Sequence, residues 1–244
     1  MMNNFKVMVC RPGKAGEQLV KDLKEINIKS QHGPTLGINQ IPFNLPDQPY
    51  DHMIFISPTA VESCVELVPE LASKAGKIYA VGSGTAKHLN DAGINEVIVP
   101  ETFDSEGLLN LAEFKQPAGQ RILIVKGVGG RPLLETTLKN RGAVCDTLDV
   151  YNRTPIEVSQ DVWDCYWEGS TLRAVTAASI ETLDAFDQQR RSANNNYPDI
   201  VFVASDRIAE AAASLGYTDV INVGGAANHY FTTAIDSYIK AYTL

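Results

Sequence analysis

The chain has 244 residues, of which 44% are hydrophobic, and a formal net charge of −8 at pH 7. This length can bury one large hydrophobic core or two smaller ones, and two domains are the better expectation. The acidic balance disfavours a general nucleic-acid binder, because such proteins carry an excess of Lys and Arg to match the phosphates.

Short apolar runs bounded by turn residues alternate with segments of helical periodicity along the chain. The predicted strands lie near residues 5–10, 53–57, 78–81, 96–99, 121–126, 143–150, 172–176, 200–204 and 220–223. Helical stretches fall between most of them. This alternation predicts an α/β fold in which parallel strands form sheets that are flanked by helices.

The predicted units repeat in one order. Three pairs of segments align at nearly one spacing, namely 6–11 with 121–126, 53–62 with 172–181, and 78–99 with 201–222. We therefore predict two similar domains. Open α/β sheets bind ligands beyond the carboxyl ends of their strands, so equivalent loops of the two domains are expected to line one cleft. A duplicated scaffold without a shared site is the alternative.

A glycine-rich turn, Val125-Lys-Gly-Val-Gly-Gly-Arg-Pro132, follows one predicted strand. Its glycines let the backbone approach a ligand, and the first N–H groups of a following helix favour an anion such as a phosphate or a carboxylate. The turn lacks the Lys-Ser/Thr pair of a Walker loop, and Pro132 replaces the third glycine of a dinucleotide fingerprint. A second turn at 81–86 fails the same test. Asp149 stands about where a ribose-binding acid would follow, which keeps a nucleotide as an alternative.

Polar, basic and glycine residues collect where the predicted strands end, and they are the candidate ligand-binding residues. They are Arg11, Ser57, Thr59, Ser83, Thr85, Lys126, Gly129, Arg131, Ser179, Ser205 and Arg207. The serines at 57, 83 and 205 could simply cap the helices that follow them, and this role is favoured for any one of them. Arg11 and Arg131 are placed at helix starts, where the helix dipole disfavours a positive charge unless an anion lies close by. Each could instead be a solvated or ion-paired side chain.

Motifs of several catalytic classes are missing from the sequence. No serine lies in a GxSxG elbow, and the four histidines have no spacing typical of a triad or a metal site. The four cysteines are far apart and are interpreted as reduced thiols of a cytoplasmic protein, with no metal site expected. The chain has neither a signal-peptide pattern at its start nor 18 consecutive apolar residues, so no membrane partner is expected.

Tyr151 is the candidate catalytic residue. It ends the predicted strand at 143–150, where the chain is expected to leave one domain for the other. A tyrosine with an ordinary pKa of about 10 keeps its proton near neutrality and can donate it to a leaving hydroxyl or to a carboxylate. A tyrosine that only packs at an interdomain hinge is the alternative, and position alone favours this packing role.

Six short motifs keep one order along nearly the whole chain. They are Arg11-Pro12, Phe55–Val61, Val81–Ala86, Ser105–Leu109, Gly127–Arg131 and Val150–Arg153. In this order and spacing, they resemble the uroporphyrinogen-III synthase family. The sequence departs from the family pattern at Thr176-Ala-Ala, where a serine-containing turn is common, and at 204–207, where a glycine- or threonine-rich turn is usual.

The resemblance implies two α/β domains joined by a two-stranded connector. It assigns residues 1–35 and 154–244 to one domain, residues 41–148 to the other, and residues 36–40 and 149–153 to the connectors. The first βα unit thereby changes places with its counterpart at 121–142. The repeat makes this exchange physically plausible, because the two units are interchangeable.

The resemblance also implies a reaction. In this family hydroxymethylbilane, a linear tetrapyrrole with eight carboxylates, loses water and closes to uroporphyrinogen III, with ring D inverted through a spiro intermediate. Such an enzyme is a lyase of heme biosynthesis that needs neither a cofactor nor a metal. The strand-end residues, with Ser57 and Thr85 as hydroxyl donors, would hold substrate carboxylates, and Tyr151 would assist the loss of the hydroxyl group.

Partners and alternatives follow from the same resemblance. Hydroxymethylbilane synthase would hand over the substrate, and a monomer is expected. A two-domain protein that binds a small anion or a tetrapyrrole would use the same loops without catalysis. A nucleotide-dependent oxidoreductase is disfavoured by both broken glycine patterns. The polar stretch at 187–196 is predicted to be a mobile surface loop, with an active-site lid as the alternative.

Overall fold

The computed structural model describes residues 5–45, 47–169, 172–193 and 198–242. The chain divides into two compact units, which we call unit 1 (Met1–Ile38 and Thr154–Leu244) and unit 2 (Asn39–Arg153). With elements numbered in chain order, the chain leaves unit 1 in strand β3 (Leu36–Gln40) and returns to it in β8 (Val144–Pro155). β3 and β8 are neighbours in one sheet, and the predicted connector residues lie in these two strands.

Unit 1 contains a parallel sheet. Its strands are β1 (Phe5–Val9), β2 (Lys29–His32), β9 (Leu172–Ala177), β10 (Ile200–Val203) and β11 (Val220–Asn222), in the spatial order β11-β10-β9-β1-β2. Its helices are α1 (Gly13–Glu25), α8 (Gln160–Trp167), α9 (Ile180–Ser192), α10 (Asp206–Ser214) and α11 (Asn228–Tyr242).

Unit 2 contains the second sheet, in the order β3-β8-β7-β4-β5-β6. Its further strands are β4 (Tyr50–Phe55), β5 (Ala75–Ala80), β6 (Val97–Ile98) and β7 (Arg121–Gly127), and the pairs from β8 to β6 are parallel. Its helices are α2 (Pro58–Ser63), α3 (Val68–Ala72), α4 (Ser83–Asp91), α5 (Ser105–Asn110), α6 (Ala112–Lys115) and α7 (Leu133–Asn140), with a 3₁₀ turn at Val65–Leu67.

The two sheets share one topology. Strands β7, β8, β4, β5 and β6 of unit 2 take the places that β1, β2, β9, β10 and β11 take in unit 1. In each sheet the strand order reverses at one point, between β1 and β9 or between β7 and β4, and open α/β sheets bind ligands beyond the carboxyl ends of the strands at such a point. The predicted pair of similar α/β folds is confirmed, as are all nine predicted strands.

One alignment within the repeat is wrong by three residues. Ser57 is the N-cap of α2, and Ser179 is the N-cap of α9. Strands β4 and β9 end two residues before these caps, at Phe55 and Ala177. The structure therefore matches Ser57 with Ser179, whereas the sequence alignment matched it with Thr176. Thr176 instead lies buried inside β9.

The paired leucines of the repeat anchor the two cores. Leu19 and Leu23 of α1 are fully buried against the sheet of unit 1, and Leu134 and Leu138 of α7 are at most 4% exposed in unit 2. Residues four apart lie on one face of a helix, so each pair presents a continuous apolar surface to its sheet. Strands covered by helices on both faces read as apolar runs, as the four buried residues of β10 illustrate.

The prediction of a surface loop at 187–196 is wrong for its first part, and so is the alternative of a lid there. α9 continues to Ser192, and Asp187 and Arg190 are only 3% and 4% exposed. Asp187 accepts hydrogen bonds from Arg190 Nη2 at 2.5 Å, from Arg191 Nε at 2.5 Å and from the Tyr217 hydroxyl at 3.0 Å. These bonds hold the first part of the polar run in helical conformation, with Asp187 and Arg190 buried. Residues 194–196 lie outside the described residues.

Candidate active site

The candidate residues of unit 2 gather at the carboxyl-terminal end of its sheet. Ser57 and Thr59 follow β4, Ser83 and Thr85 follow β5, and Lys126, Gly129 and Arg131 lie at the end of β7 or just beyond it. Strands β7, β4 and β5 are adjacent and parallel, so their carboxyl ends meet. The starts of α2 and α4 also lie side by side, because a Cβ atom at Gly84 would be 3.8 Å from Pro58 Cγ.

The hydroxyl groups at this end of the sheet differ in their roles. Ser57 Oγ accepts a hydrogen bond from Ala60 N at 3.0 Å, so Ser57 does cap its helix. Ser83 is exposed and is the first residue of α4, whose N-cap is Gly82 and has no side-chain cap. Thr85 is 2% exposed. The capping interpretation therefore holds for Ser57 and is wrong for Ser83, which presents its hydroxyl to solvent.

The Tyr151 hydroxyl lies between a serine and an arginine. The ring is 2% exposed, and the hydroxyl oxygen is 3.4 Å from Ser57 Oγ. Arg153 Nη2 donates a hydrogen bond to the same oxygen at 2.8 Å, and its guanidinium carbon is 5.1 Å from the centroid of the Tyr151 ring. An N–H donor of a cation stabilises negative charge that develops on an oxygen as its proton leaves. This arrangement favours proton donation by Tyr151.

Arg153 was missed as a site residue in the sequence. It follows Tyr151 by two residues on β8, and alternate residues of a strand point to the same face. That period-two relation was the available signal. Its contact with the Tyr151 oxygen assigns it a positioning role.

Gly127 leaves room for the Tyr151 ring. A register shift between Lys126 and Gly127 places Gly127 opposite Tyr151, and Val128 N donates to Tyr151 O at 2.8 Å. A Cβ atom at Gly127 would be 2.4 Å from Tyr151 Cζ, which is too close for any real contact. The first glycine of the turn thus serves the tyrosine, although the sequence suggested an approach to a ligand.

Gly127→Ala should lower kcat for product formation by about tenfold or more, because a 1 Å displacement of a reacting group can cost about 100-fold. The added methyl group must push the Tyr151 ring away from Ser57 and Arg153. The test is a double-mutant cycle with Tyr151→Phe. If Gly127 acts only through the tyrosine hydroxyl, Gly127→Ala has little further effect in the Tyr151→Phe background. Full additivity would contradict this role.

The rest of the glycine turn is held by contacts within unit 2. Gly129 and Gly130 have φ angles of 80° and 83°, a region that glycine adopts without strain. Lys126 Nζ donates to Gly129 O at 2.9 Å, and Arg131 forms an ion pair with Glu106 whose hydrogen bond lowers the pKa of that carboxyl. Both basic side chains of the turn therefore have partners, and their binding of substrate carboxylates stays a prediction.

Arg11 and Arg131 do not begin helices. Each stands one residue before a proline that is the N-cap, so α1 begins at Gly13 and α7 at Leu133. For Arg131 the nearby carboxylate that the sequence argument required is Glu106. Arg131 is therefore ion-paired in the structure, and its binding of a substrate carboxylate stays a prediction.

The candidate residues of unit 1 lie at the carboxyl-terminal end of its sheet, as those of unit 2 do in theirs. Arg11 follows β1, Ser179 follows β9, and Ser205 and Arg207 follow β10. These three strands are adjacent and parallel. Ser179 Oγ accepts from Thr182 N at 3.2 Å and caps α9, whereas Ser205 occupies the N-cap position of α10 without a side-chain hydrogen bond. Arg207 is exposed in the first turn of α10.

Arg11 is a half-buried cation whose hydrogen-bond acceptors are neutral. Its Nη1 donates to the carbonyl oxygen of Ala226 and, at 3.1 Å, to Asn228 Oδ1. Burial lowers the pKa of the Arg11 guanidinium, because desolvation penalises the charged form. A substrate carboxylate beside Arg11 would compensate that desolvation, which makes Arg11 the most suitable anion ligand of unit 1.

Of the four free cysteines, Cys165 is exposed and the other three are buried. Cys10, Cys64 and Cys145 are buried free thiols, and burial raises the pKa of Cys64 and of Cys145 to about 11. Thiols with such pKa values are not nucleophiles near neutrality. The described part of the chain has no group of His, Cys, Asp and Glu residues arranged to hold a metal ion.

Comparison with known proteins decides the family. The model of the family described as "Uroporphyrinogen-III synthase HemD" matches residues 6–222. The chain belongs to the uroporphyrinogen-III synthase family. A uroporphyrinogen-III synthase of Escherichia coli (strain K12) is 28% identical over 246 residues, which cover 95% of this chain and 100% of that protein. One of Proteus mirabilis is 27% identical, covering 73% and 96%.

Solved structures of this family share the fold. A uroporphyrinogen-III synthetase from Helicobacter pylori 26695 covers 96% of this chain and 99% of its own, with a TM-score of 0.66 and 14% identity. A mutant uroporphyrinogen III synthase from the extremely thermophilic bacterium Thermus thermophilus covers 97% and 99%, with a TM-score of 0.58 and 17% identity. None of the helices in the described part of the chain has the length and apolar character needed to span a membrane.

Proposed function

We propose that this chain is a uroporphyrinogen-III synthase that dehydrates hydroxymethylbilane and closes it to uroporphyrinogen III with ring D inverted. The observation that carries the proposal is the Tyr151 hydroxyl, held 2.8 Å from Arg153 Nη2 and 3.4 Å from Ser57 Oγ at the carboxyl ends of the central strands of unit 2. Membership of the family supplies the reaction, and this constellation supplies a proton donor for its first step.

In the first step the C–O bond of the hydroxymethyl group breaks. Tyr151 donates its proton to the departing oxygen, which leaves as water, and Arg153 stabilises the phenolate. The electrons of the adjacent pyrrole form an azafulvenium cation, which keeps its N–H proton. Ser57 and Arg153 contact the Tyr151 hydroxyl, so one of these side chains must move for the substrate to reach it.

Ring D then attacks the methylene carbon of this cation through its own substituted α-carbon and forms the spiro intermediate. Fragmentation and re-closure complete the inversion, and the tyrosine oxygen recovers a proton when the last pyrrole carbon becomes aromatic again. The substrate supplies every electron pair, and the reaction involves no net oxidation or reduction. The enzyme's main task is therefore to hold the chain ends in the geometry that leads to isomer III.

Carboxylate binding is assigned to the strand-end residues. Arg11 is the principal candidate in unit 1, and the exposed Ser83 with the start of α4 is the candidate in unit 2. Helix starts present unpaired N–H groups, which allows an acidic protein to bind a polyanion locally. The compact units would be the two domains that the family resemblance implies. The protein would be a cytoplasmic monomer supplied by hydroxymethylbilane synthase.

The purified chain, supplied with hydroxymethylbilane formed in the same tube, should yield mainly uroporphyrinogen III. The products are oxidised, and the porphyrin isomers are separated by chromatography. The matched control omits the chain, because hydroxymethylbilane closes to isomer I without an enzyme. Isomer I alone in both tubes would overturn the proposed function and favour a protein that only binds a tetrapyrrole or another small anion.

A further inference from the structure

A cavity of about 800 Å³ in unit 1 lies beside the last strand of the sheet. It is lined by residues of α1, β1, β2 and α8, and its apolar floor includes Val7, Ile28 and Tyr166, all at most 8% exposed. The candidate substrate ligands of unit 1 do not line it. The cavity is therefore a separate feature of unit 1.

The cavity extends along the unpaired edge of β2. Gly33 N donates to Val9 O, on the side of β1, and successive residues of a strand turn their N–H and C=O groups to alternate edges. The N–H and C=O groups of Ser30 and His32 consequently point away from β1. β2 is the end of its sheet, and no backbone hydrogen bond reaches this edge from the described residues.

Both faces of β2 border the cavity. Ser30 faces α1, because its Oγ donates to Val20 O at 3.3 Å. Lys29 pairs in register with Lys6, whose Nζ donates to Cys165 O of α8 at 2.7 Å, so Lys29 faces α8. An added strand would send alternate side chains towards α1 and towards α8, and the cavity offers space on both sides.

Each side carries an exposed lysine. Lys24 lies on α1, Lys29 lies on the α8 side, and neither forms an ion pair with the described residues. Two consecutive acidic residues of an added strand would point one to each lysine. A second copy of this chain fits poorly, because two-fold pairing of β2 edges would bring four lysines together.

We propose that this edge, with Lys24 and Lys29, binds an extended acidic segment of a partner protein as an additional strand next to β2. Backbone hydrogen bonds to Ser30 and His32 give the affinity in this mode of recognition, and side chains on alternate faces give the specificity. None of the proposed substrate ligands of unit 1 lines the cavity, although His32 Nε2 lies 2.9 Å from the carbonyl oxygen of Arg11.

The test uses the full chain and a fluorescein-labelled peptide, Thr-Val-Asp-Glu-Val-Thr, with binding followed by anisotropy. Ser30→Pro should weaken binding by about tenfold, because it removes the outward N–H donor while the bonds of Lys29 and Gln31 to β1 remain. Ser30→Ala keeps the donor and is the matched control, with binding within about twofold of the parent chain. Circular dichroism and isomer III formation report on the fold of each variant.

Charge is tested with the double variant Lys24→Glu/Lys29→Glu, expected to bind the peptide at least about tenfold more weakly. Lys115→Glu, at an exposed lysine of unit 2, is the matched control and should bind like the parent. A peptide N-methylated at its Asp and Glu amides keeps both charges and loses a donor on each edge, so the unchanged chain should bind it at least about tenfold more weakly.

Three results would overturn the proposal. They are the absence of peptide binding at millimolar concentration, equal binding of the N-methylated peptide, and equal loss in Lys115→Glu and in the double variant. Equal binding of the N-methylated peptide would mean that the lysines attract an anion without strand addition. That conclusion does not depend on whether Ser30→Pro folds.

Discussion

Tyr151→Phe should lower kcat for isomer III formation by about 100- to 10,000-fold, the usual contribution of a positioned general acid. Phe keeps the ring that packs on Gly127 and under the Arg153 guanidinium, and only the hydroxyl group is lost. The interaction is made in the transition state, so KM should change little. The isomer ratio gives a second measurement, because substrate that is not converted closes spontaneously to isomer I.

Tyr79→Phe is the matched control for this substitution. Tyr79 is also fully buried in unit 2, but its hydroxyl lies 3.3 Å from His52 Nδ1. Its loss should affect stability by about 1 kcal/mol and leave the isomer ratio unchanged. If Tyr151→Phe formed isomer III at the parental rate, Tyr151 would be a packing residue, as its position in the sequence first suggested.

The strands that could be predicted are those in which the residues themselves are apolar. β10, for example, is Ile-Val-Phe-Val, and buried parallel strands read as such runs. β2 is Lys-Ser-Gln-His, and β3 is Leu-Gly-Ile-Asn-Gln, so neither shows the signal. Their strand conformation depends on hydrogen bonds to β1 and β8, which are distant in sequence, and both lie at sheet edges.

The sequence predicted where candidate site residues lie along the chain, but it did not predict which of them contact one another. Tyr151 was found because it follows the strand predicted at 143–150, although β8 continues to Pro155. Its partner Gly127 depends on the register shift in the pairing of β7 with β8. Such a shift is a property of two strands together, and one strand's sequence does not show it. The sequence repeat contained one wrong alignment. Matching apolar runs aligned Ser57 with Thr176, whereas the helix N-caps of the structure align Ser57 with Ser179.

The stretch at 187–196 shows the limit of polarity as a signal. Asp187 and Arg190 are polar residues in a helix, and a loop is the usual interpretation of such a run. They are buried because each satisfies the other, with Tyr217 as a partner 30 positions away. Composition does not distinguish a solvated polar run from one whose charges are paired.

Asp187→Asn should destabilise unit 1 by about 3–5 kcal/mol at pH 7, because it removes the negative charge of a buried ion pair and keeps the positive one. The charge left behind is that of Arg190, whose side chain is 5% exposed. Both tryptophans of the chain, Trp163 and Trp167, lie in α8 of unit 1, and the Trp163 ring is 5.7 Å from that of Phe186. Their fluorescence during urea unfolding therefore reports on this unit.

Asp236→Asn is the matched control, because Asp236 forms an exposed ion pair with Lys240 on α11 that should contribute at most about 1 kcal/mol. Equal losses of stability in the two variants at pH 7 would show that the Asp187 cluster is no stronger than a surface pair. It would then not account for the helix between Asp187 and Ser192.

The destabilisation by Asp187→Asn should itself depend on pH. Burial raises the pKa of Asp187, but hydrogen bonds from Arg190, Arg191 and Tyr217 outweigh burial and lower the pKa below its usual value. A lowered pKa in the folded state contributes stability that is fully present above the unfolded value of about 3.9 and is lost as the pH falls through the folded value. The difference between the parent chain and Asp187→Asn should therefore be constant from pH 7 to about pH 5 and shrink below about pH 4. A difference that persisted unchanged at pH 2 would mean that the carboxylate charge does not stabilise the helix, and that only the shape of the side chain matters there.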